Sequence, residues 1–150
     1  MNATAWIDYW DRVRQGTLAT VDLFLEDELG FAPVSGGYTV REIALHIAHE
    51  EEIELLYGLA SASPDMPEPY PPADFPTKQA IVHQLSTIHA RTVEFLRGQT
   101  DDAFLREAEL AWGERLRPID VVRHLIEHET HHRGELSLTL GLLGRRGFDA

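Results

Sequence analysis

Apolar residues recur every three or four positions along four long stretches of the chain, with Gly and Pro clusters between them, a pattern that predicts helices. The first is expected from about Thr4 to Leu29, where Trp6, Trp10, Val13, Val21, Phe24 and Leu25 share a face and Gly30 ends the run. The second opens at Thr39, whose hydroxyl can cap the helix while Glu42, three residues on, reaches back to the cap amide; it should run to about Leu59 or Ala60. Thr77 can cap a third helix that carries Ile81, Val82, Leu85, Ile88, Phe95 and Leu96 and stops near Gly98. In the last, Pro118 suits the first turn, where its missing amide proton would have no partner, and Gly144 closes the helix.

Residues 61–76, SASPDMPEPYPPADFP, hold six prolines and predict a stiff, extended connector. A short helical or irregular stretch, DDAFLREAEL, separates the third and last helices, and no strand run or internal repeat is evident. A chain of 150 residues makes one domain. Residues 1–150 are therefore expected to form a single all-α four-helix bundle, in either an alternating or an up-down-down-up order.

Hydrophobic residues make up 43% of the chain and charged residues 25%, which excludes a disordered or fibrous class. A net charge of −12 opposes nucleic acid and anionic membrane partners. With no Cys, a metal must be held by His and carboxylate, and any sulfur nucleophile must come from outside. No apolar run approaches the roughly 18 residues of a membrane span, and MNATAWIDYW lacks the form of a secretion signal, so a cytoplasmic location is expected.

Four of the eight histidines, His124, His128, His131 and His132, fall on the last helix. At about 100° per residue, His132 lies roughly 30° and His128 roughly 70° from the centre of its apolar face, with His124 and His131 turned away. Two imidazoles four residues apart can meet one divalent ion, although that spacing alone serves a polar core pair or a solvated edge equally. On the second helix, with Val40, Ile43, Ile47, Ile53 and Tyr57 as its apolar face, the same reckoning puts Glu50 about 20° and His46 about 60° from the centre, and His49 about 120° off. An inward Glu or His costs several kcal/mol unless paired or coordinated, so both demand a partner. The rest of the Glu50-Glu51-Glu52 run reads as a solvated face, His83 and His89 as helix-surface or boundary residues, and Trp6, Trp10 and Trp112 as packing residues.

The pattern TVREIALHIAHEE, followed near the C-terminus by PIDVVRHLIEHETHHRGEL, resembles the DinB/YfiT-like superfamily of metal-dependent bundles over essentially the whole chain. The resemblance implies a divalent metal bound by His46, His128 and His132, and zinc or nickel as the ion. Where the family commonly has HRGQ, this chain has His132-Arg133-Gly134-Glu135, a glutamate in place of the amide.

Three imidazoles leave coordination positions open, as in catalytic sites. Since characterised relatives include thiol-using transferases and a thiol-dependent isomerase, the resemblance implies a transferase that activates a low-molecular-weight thiol for attack on an electrophilic substrate, in stress response or detoxification. Glu50 would orient a ligand or accept a proton, and Arg133 is a candidate for a substrate carboxylate. The alternatives are a metal-dependent hydrolase with Glu50 as general base, and a non-catalytic metal-binding stress protein whose ion stabilises the fold. Relatives are often dimers, and Leu45, Leu56 and Leu59, set against Ile43 and Ile47 across the second helix, suggest apolar surface to spare for a homodimer.

Overall fold

A computed structural model describes residues 2–147. Helix α1 spans Ala3–Asp22, capped by Asn2, whose Oδ1 accepts from the Ala5 amide at 3.0 Å. It ends seven residues before the expected stop at Leu29, and a 3₁₀ turn at Glu26–Glu28 follows. The reason is tertiary: Lys78 Nζ donates to the carbonyls of Asp22 and Phe24 at 2.8 and 3.1 Å, and the bend lets Phe24 and Leu29 both bury completely.

Helix α2 (Val40–Glu51) starts on the expected capping box, with Thr39 Oγ1 accepting from the Glu42 amide at 3.2 Å and Glu42 Oε2 accepting from the Thr39 amide at 2.8 Å. It runs without a break into a π-helical stretch, Glu52–Leu59, whose i→i+5 bonding widens the turn. Past Glu51 the rotation of about 100° per residue no longer holds. Ile53 and Tyr57, assigned to the inner face from the sequence, are only half-buried, while Leu55, Leu56 and Gly58 are buried.

Helix α3 (Lys78–Arg97) has the expected Thr77 cap and stops at Gly98. A short α4 (Asp101–Leu105) comes next. Contrary to the strand-free expectation, β1 (Ala108–Glu109) and β2 (Arg115–Leu116) then pair antiparallel in a small hairpin. The hairpin is pinned by tertiary contacts, since the Ala111 amide donates to the Gly58 carbonyl at 2.8 Å and Trp112 packs on Gly58, where a Cβ would come within 2.5 Å of the indole. Helix α5 (Pro118–Leu142) takes Pro118 in its first turn, and Gly144 adopts φ +79° just beyond it.

Cross-helix contacts fix the topology. Trp10 and Arg14 meet Glu129, and Leu23 meets Arg145, so α1 and α5 run parallel. Asp11 meets His89 and Asp22 meets Lys78, making α3 antiparallel to α1, whereas Glu51 with His89 and Arg41 with Pro76 make α2 and α3 parallel. His46 opposite His128, and Glu54 opposite His124, set α5 antiparallel to α2. The bundle is up-down-down-up, and its parallel α2–α3 pair requires the connector to travel back along about 30 Å of helix, which 16 extended, proline-rich residues span readily.

At the centre, the Arg14 guanidinium is buried with Glu51 Oε2 at 2.6 Å, Glu129 Oε1 at 2.8 Å and the Leu85 carbonyl at 2.8 Å. The Trp10 indole donates to Glu129 at 2.9 Å, and His89 sits between Glu51 and Asp11, 3.0 Å from each. Burial opposes the charge on both Arg14 and Glu51, but their mutual attraction prevails, raising the arginine and lowering the carboxyl. Two sequence readings are thereby corrected: Glu51, taken for a solvated residue, is 1% exposed, and His89, taken for a surface or boundary residue, is 6% exposed. The buried stripe of α2 includes Val40, Ile43, Ala44, Ile47, Ala48 and Glu51, and only an ideal helical rotation carried on through Ile53 and Tyr57 would centre it on Glu50. His49, expected off the inner face, is also buried, with Nε2 3.0 Å from the Pro67 carbonyl of the connector. Leu45, Leu56, Ile43 and Ile47 are buried in the chain's own core and Leu59 packs against it, so they offer no spare surface to a second copy.

Candidate metal centre

His46 comes from the middle of α2, and His128 and His132 lie one turn apart on α5. Their Nε2 atoms converge: His128 lies 3.1 Å from His46 and 3.1 Å from His132. The rings meet edge to face, with centroids 4.4 to 4.9 Å apart. Nitrogens that share one ion at about 2.0–2.1 Å each take up roughly this spacing, so the set fits a divalent metal.

Protonation favours the same reading. Burial, then the neighbouring His132 and His46, push the His128 ring down to about 4, and burial also lowers His46. Both rings therefore stay neutral near pH 7, with a lone pair available for coordination. His132 Nδ1 donates to Glu135 Oε2 at 2.7 Å, which orients the ring with Nε2 toward the other two imidazoles.

Glu135 is a residue whose role the sequence left open. It reaches His132 across one helical turn, and its other oxygen lies 3.2 Å from Nε2 of the exposed His131. Tyr38, next to the Thr39 cap, carries no sequence signal for a place at the site; its ring stacks on His46 at 6.3 Å between centroids. Glu50 is not inward but lines the rim, half-buried, with Oε1 3.6 Å from His46 Nδ1. His124 and His131 face outward, pairing with Glu54 and Glu135. Arg133 points to α1, where Nη1 donates to the Val13 carbonyl at 3.3 Å, away from the triad.

Two clefts lie near the three imidazoles, one lined by His46 and the other by Tyr38 and Glu135, the neighbours of His46 and His132. One, of about 400 Å³, lies between His46, His49 and Glu50 and the connector residues Pro69, Tyr70 and Pro72. The connector is held there by the His49 contact and by the Tyr70 hydroxyl, which donates to Glu52. The other cleft, about 300 Å³ and largely apolar, lies beyond Tyr38 between the 33–38 loop and α5. No helix is long and apolar enough to cross a membrane among the described residues.

A bundle of four long helices with three imidazoles meeting between the second and the last defines a class of proteins built to offer an open, all-nitrogen ligand set. The chain belongs to the DinB superfamily, whose family model matches residues 9–136. Its fold is shared with a DinB-like protein from Bacillus cereus (TM-score 0.78, 18% identity, 97% of this chain and 95% of that one). A second similar structure is YfiT from Bacillus subtilis, described as a probable metal-dependent hydrolase with an unusual four-helix bundle topology (TM-score 0.71, 19% identity, 95% and 88% covered). A DinB-like protein from Bacillus subtilis, YjoA, aligns with a TM-score of 0.72 at 16% identity over 97% and 96% of the two chains. No curated protein matches the chain in sequence.

Proposed function

We propose that the protein is a metal-dependent transferase in which His46, His128 and His132 hold a divalent ion, zinc or nickel, beside clefts that admit a low-molecular-weight thiol and an electrophilic substrate, in stress response or detoxification. The observation that carries this reading is the convergence of three imidazole Nε2 atoms, 3.1 Å apart in two pairs, with His46 lining an open cleft. Held by His46, His128 and His132, a divalent ion would supply the Lewis acidity that lowers the pKa of a thiol or water.

The chain's own residues do the rest. Glu135 holds His132 in the coordinating tautomer, and the stacked ring of Tyr38 steadies His46. Glu50, at the rim and beside His46, is placed to take a proton from an entering thiol or water. With no Cys in the chain, the sulfur must arrive with the cosubstrate.

Metal analysis of untagged protein, followed by turnover of small thiols with 1-chloro-2,4-dinitrobenzene, tests the reading. Chelator-sensitive thioether formation that disappears in His128→Ala is expected, and a metal-loaded protein with no thiol transfer refutes it. A second reading, a metal-dependent hydrolase with Glu50 as general base, draws on the position of Glu50 and on the likeness to YfiT. Thiol-independent hydrolysis of activated esters would favour it.

A further inference from the structure

The apolar cleft beyond Tyr38 has walls from three parts of the chain: Val34 and Tyr38 from the loop before α2, Ile43 from α2, and Leu138 and Leu142 from α5, with Glu135 at the end nearest the imidazoles. At about 300 Å³ it has the size of a small-molecule subsite. Several of these side chains stay open to solvent, since Val34 is 67%, Tyr38 67%, Leu138 66% and Leu142 59% exposed. Exposed apolar side chains gathered along one groove are a feature of ligand-binding clefts.

Two residues join the cleft to the metal centre. Tyr38 is a wall of both clefts and stacks on His46, while Glu135 lines the apolar cleft and bonds to His132. A molecule lying along Leu138 and Leu142 therefore has beside it Tyr38 and Glu135, the direct neighbours of His46 and His132. Charge narrows its chemistry, because no Lys or Arg lines either cleft among the described residues, whereas Glu42, Glu50 and Glu135 do. Arg133 is engaged with the Val13 carbonyl and Arg41 with the Pro76 carbonyl. A carboxylate, sulfonate or phosphate on the substrate body would meet apolar side chains and a like charge.

From this continuity and charge pattern we infer that the cleft bounded by Val34, Tyr38, Ile43, Glu135, Leu138 and Leu142 is the substrate-body subsite of the metal centre and takes an uncharged, apolar or aromatic small molecule rather than an anionic one. The subsite rests on the proposed function only in that the reactive end of the molecule meets the metal.

Zinc-loaded protein with labelled Ile and Leu methyl groups is titrated by NMR with methyl p-tolyl sulfone and with p-toluenesulfonate, a nearly isosteric neutral and anionic pair of which the anion coordinates metal weakly. The sulfone should shift the Ile43, Leu138 and Leu142 methyls saturably, and the sulfonate should bind at least about tenfold more weakly. Leu142→Lys, at an exposed position, should narrow or reverse that preference while the melting temperature shows the fold intact. Equal binding of the two probes, sulfone-induced shifts confined to other methyls, or no shift at all overturns the inference. So does Leu142→Lys turning a sedimenting dimer into a monomer, which would make the cleft a contact between copies. Zinc titration of the same samples reports separately on the triad, so failure of the metal reading is distinguishable from failure of the subsite.

Discussion

His132 Nδ1 lies 2.7 Å from Glu135 Oε2, three residues along the same helix, and that bond determines which nitrogen of the ring faces His46 and His128. Because a neutral imidazole carries one proton, donating it from Nδ1 leaves the Nε2 lone pair free. A carboxylate at this position accepts the Nδ1 proton and raises the basicity of the ring toward a metal.

Removing that acceptor should cost about 10- to 100-fold in metal affinity. Glu135→Ala is expected to weaken zinc by that factor in a competition titration, whereas Glu135→Gln, which keeps an acceptor oxygen, should lose much less. Equal losses in the two variants would show that the bond to His132 does not support the site.

Neighbours in sequence should part in behaviour. His132 is 13% exposed and belongs to the triad, while His131 is 68% exposed. His132→Ala should abolish tight zinc binding. His131→Ala should change stability by no more than about 0.5 kcal/mol and leave most of the affinity. The opposite order in one buffer at one pH would move the site off this helix face.

Acid should act on the metal-free protein in two stages. The His128 ring is pushed from its ordinary value down to about 4, burial being the largest cause, so between about pH 6.5 and 4 the unfolded chain binds a proton that the folded chain refuses. Stability from this group is complete above about 6.5 and falls as the pH drops through that window. Glu51, lowered by Arg14 against its own burial, adds a second loss below the ordinary carboxylate range. Urea midpoints measured from pH 7 to 4 should decline, and His128→Gln should flatten the upper part of the curve; parallel curves for the two proteins would contradict the first stage.

The buried charges at the centre should be far more sensitive than any surface pair. Arg14→Met leaves Glu51 and Glu129 buried without their cation, and removal of one partner of such a set costs about 3–5 kcal/mol. Chemical denaturation should show that loss, with Trp10 fluorescence altered because its indole donates to Glu129. A cost near that of an exposed ion pair, about 0–1 kcal/mol, would mean that the network holds nothing together.

Local chemistry made much of this protein readable in advance. Thr39 with Glu42, Thr77, Pro118 and Gly144 mark helix ends through bonds and backbone angles that involve only nearby residues, and all four operate in the structure. The inward turn of His128 and His132 was legible because α5 is regular from Pro118 to Leu142, so helical rotation holds throughout. The same arithmetic misplaced Glu50 and Glu51 on the second helix, because the π-helical stretch after Glu51 changes the rotation and no residue type announces it. Where α1 stops, why a hairpin docks on Gly58, and why a glutamate, an arginine and a histidine lie buried together were decided by partners far away in sequence. Lys78 takes the carbonyls that end α1, Trp112 covers Gly58, and Arg14 and His89 reach Glu51 from two other helices. A buried charge is stable only when its counter-charge is in place, and only the packing of the helices brings the two together.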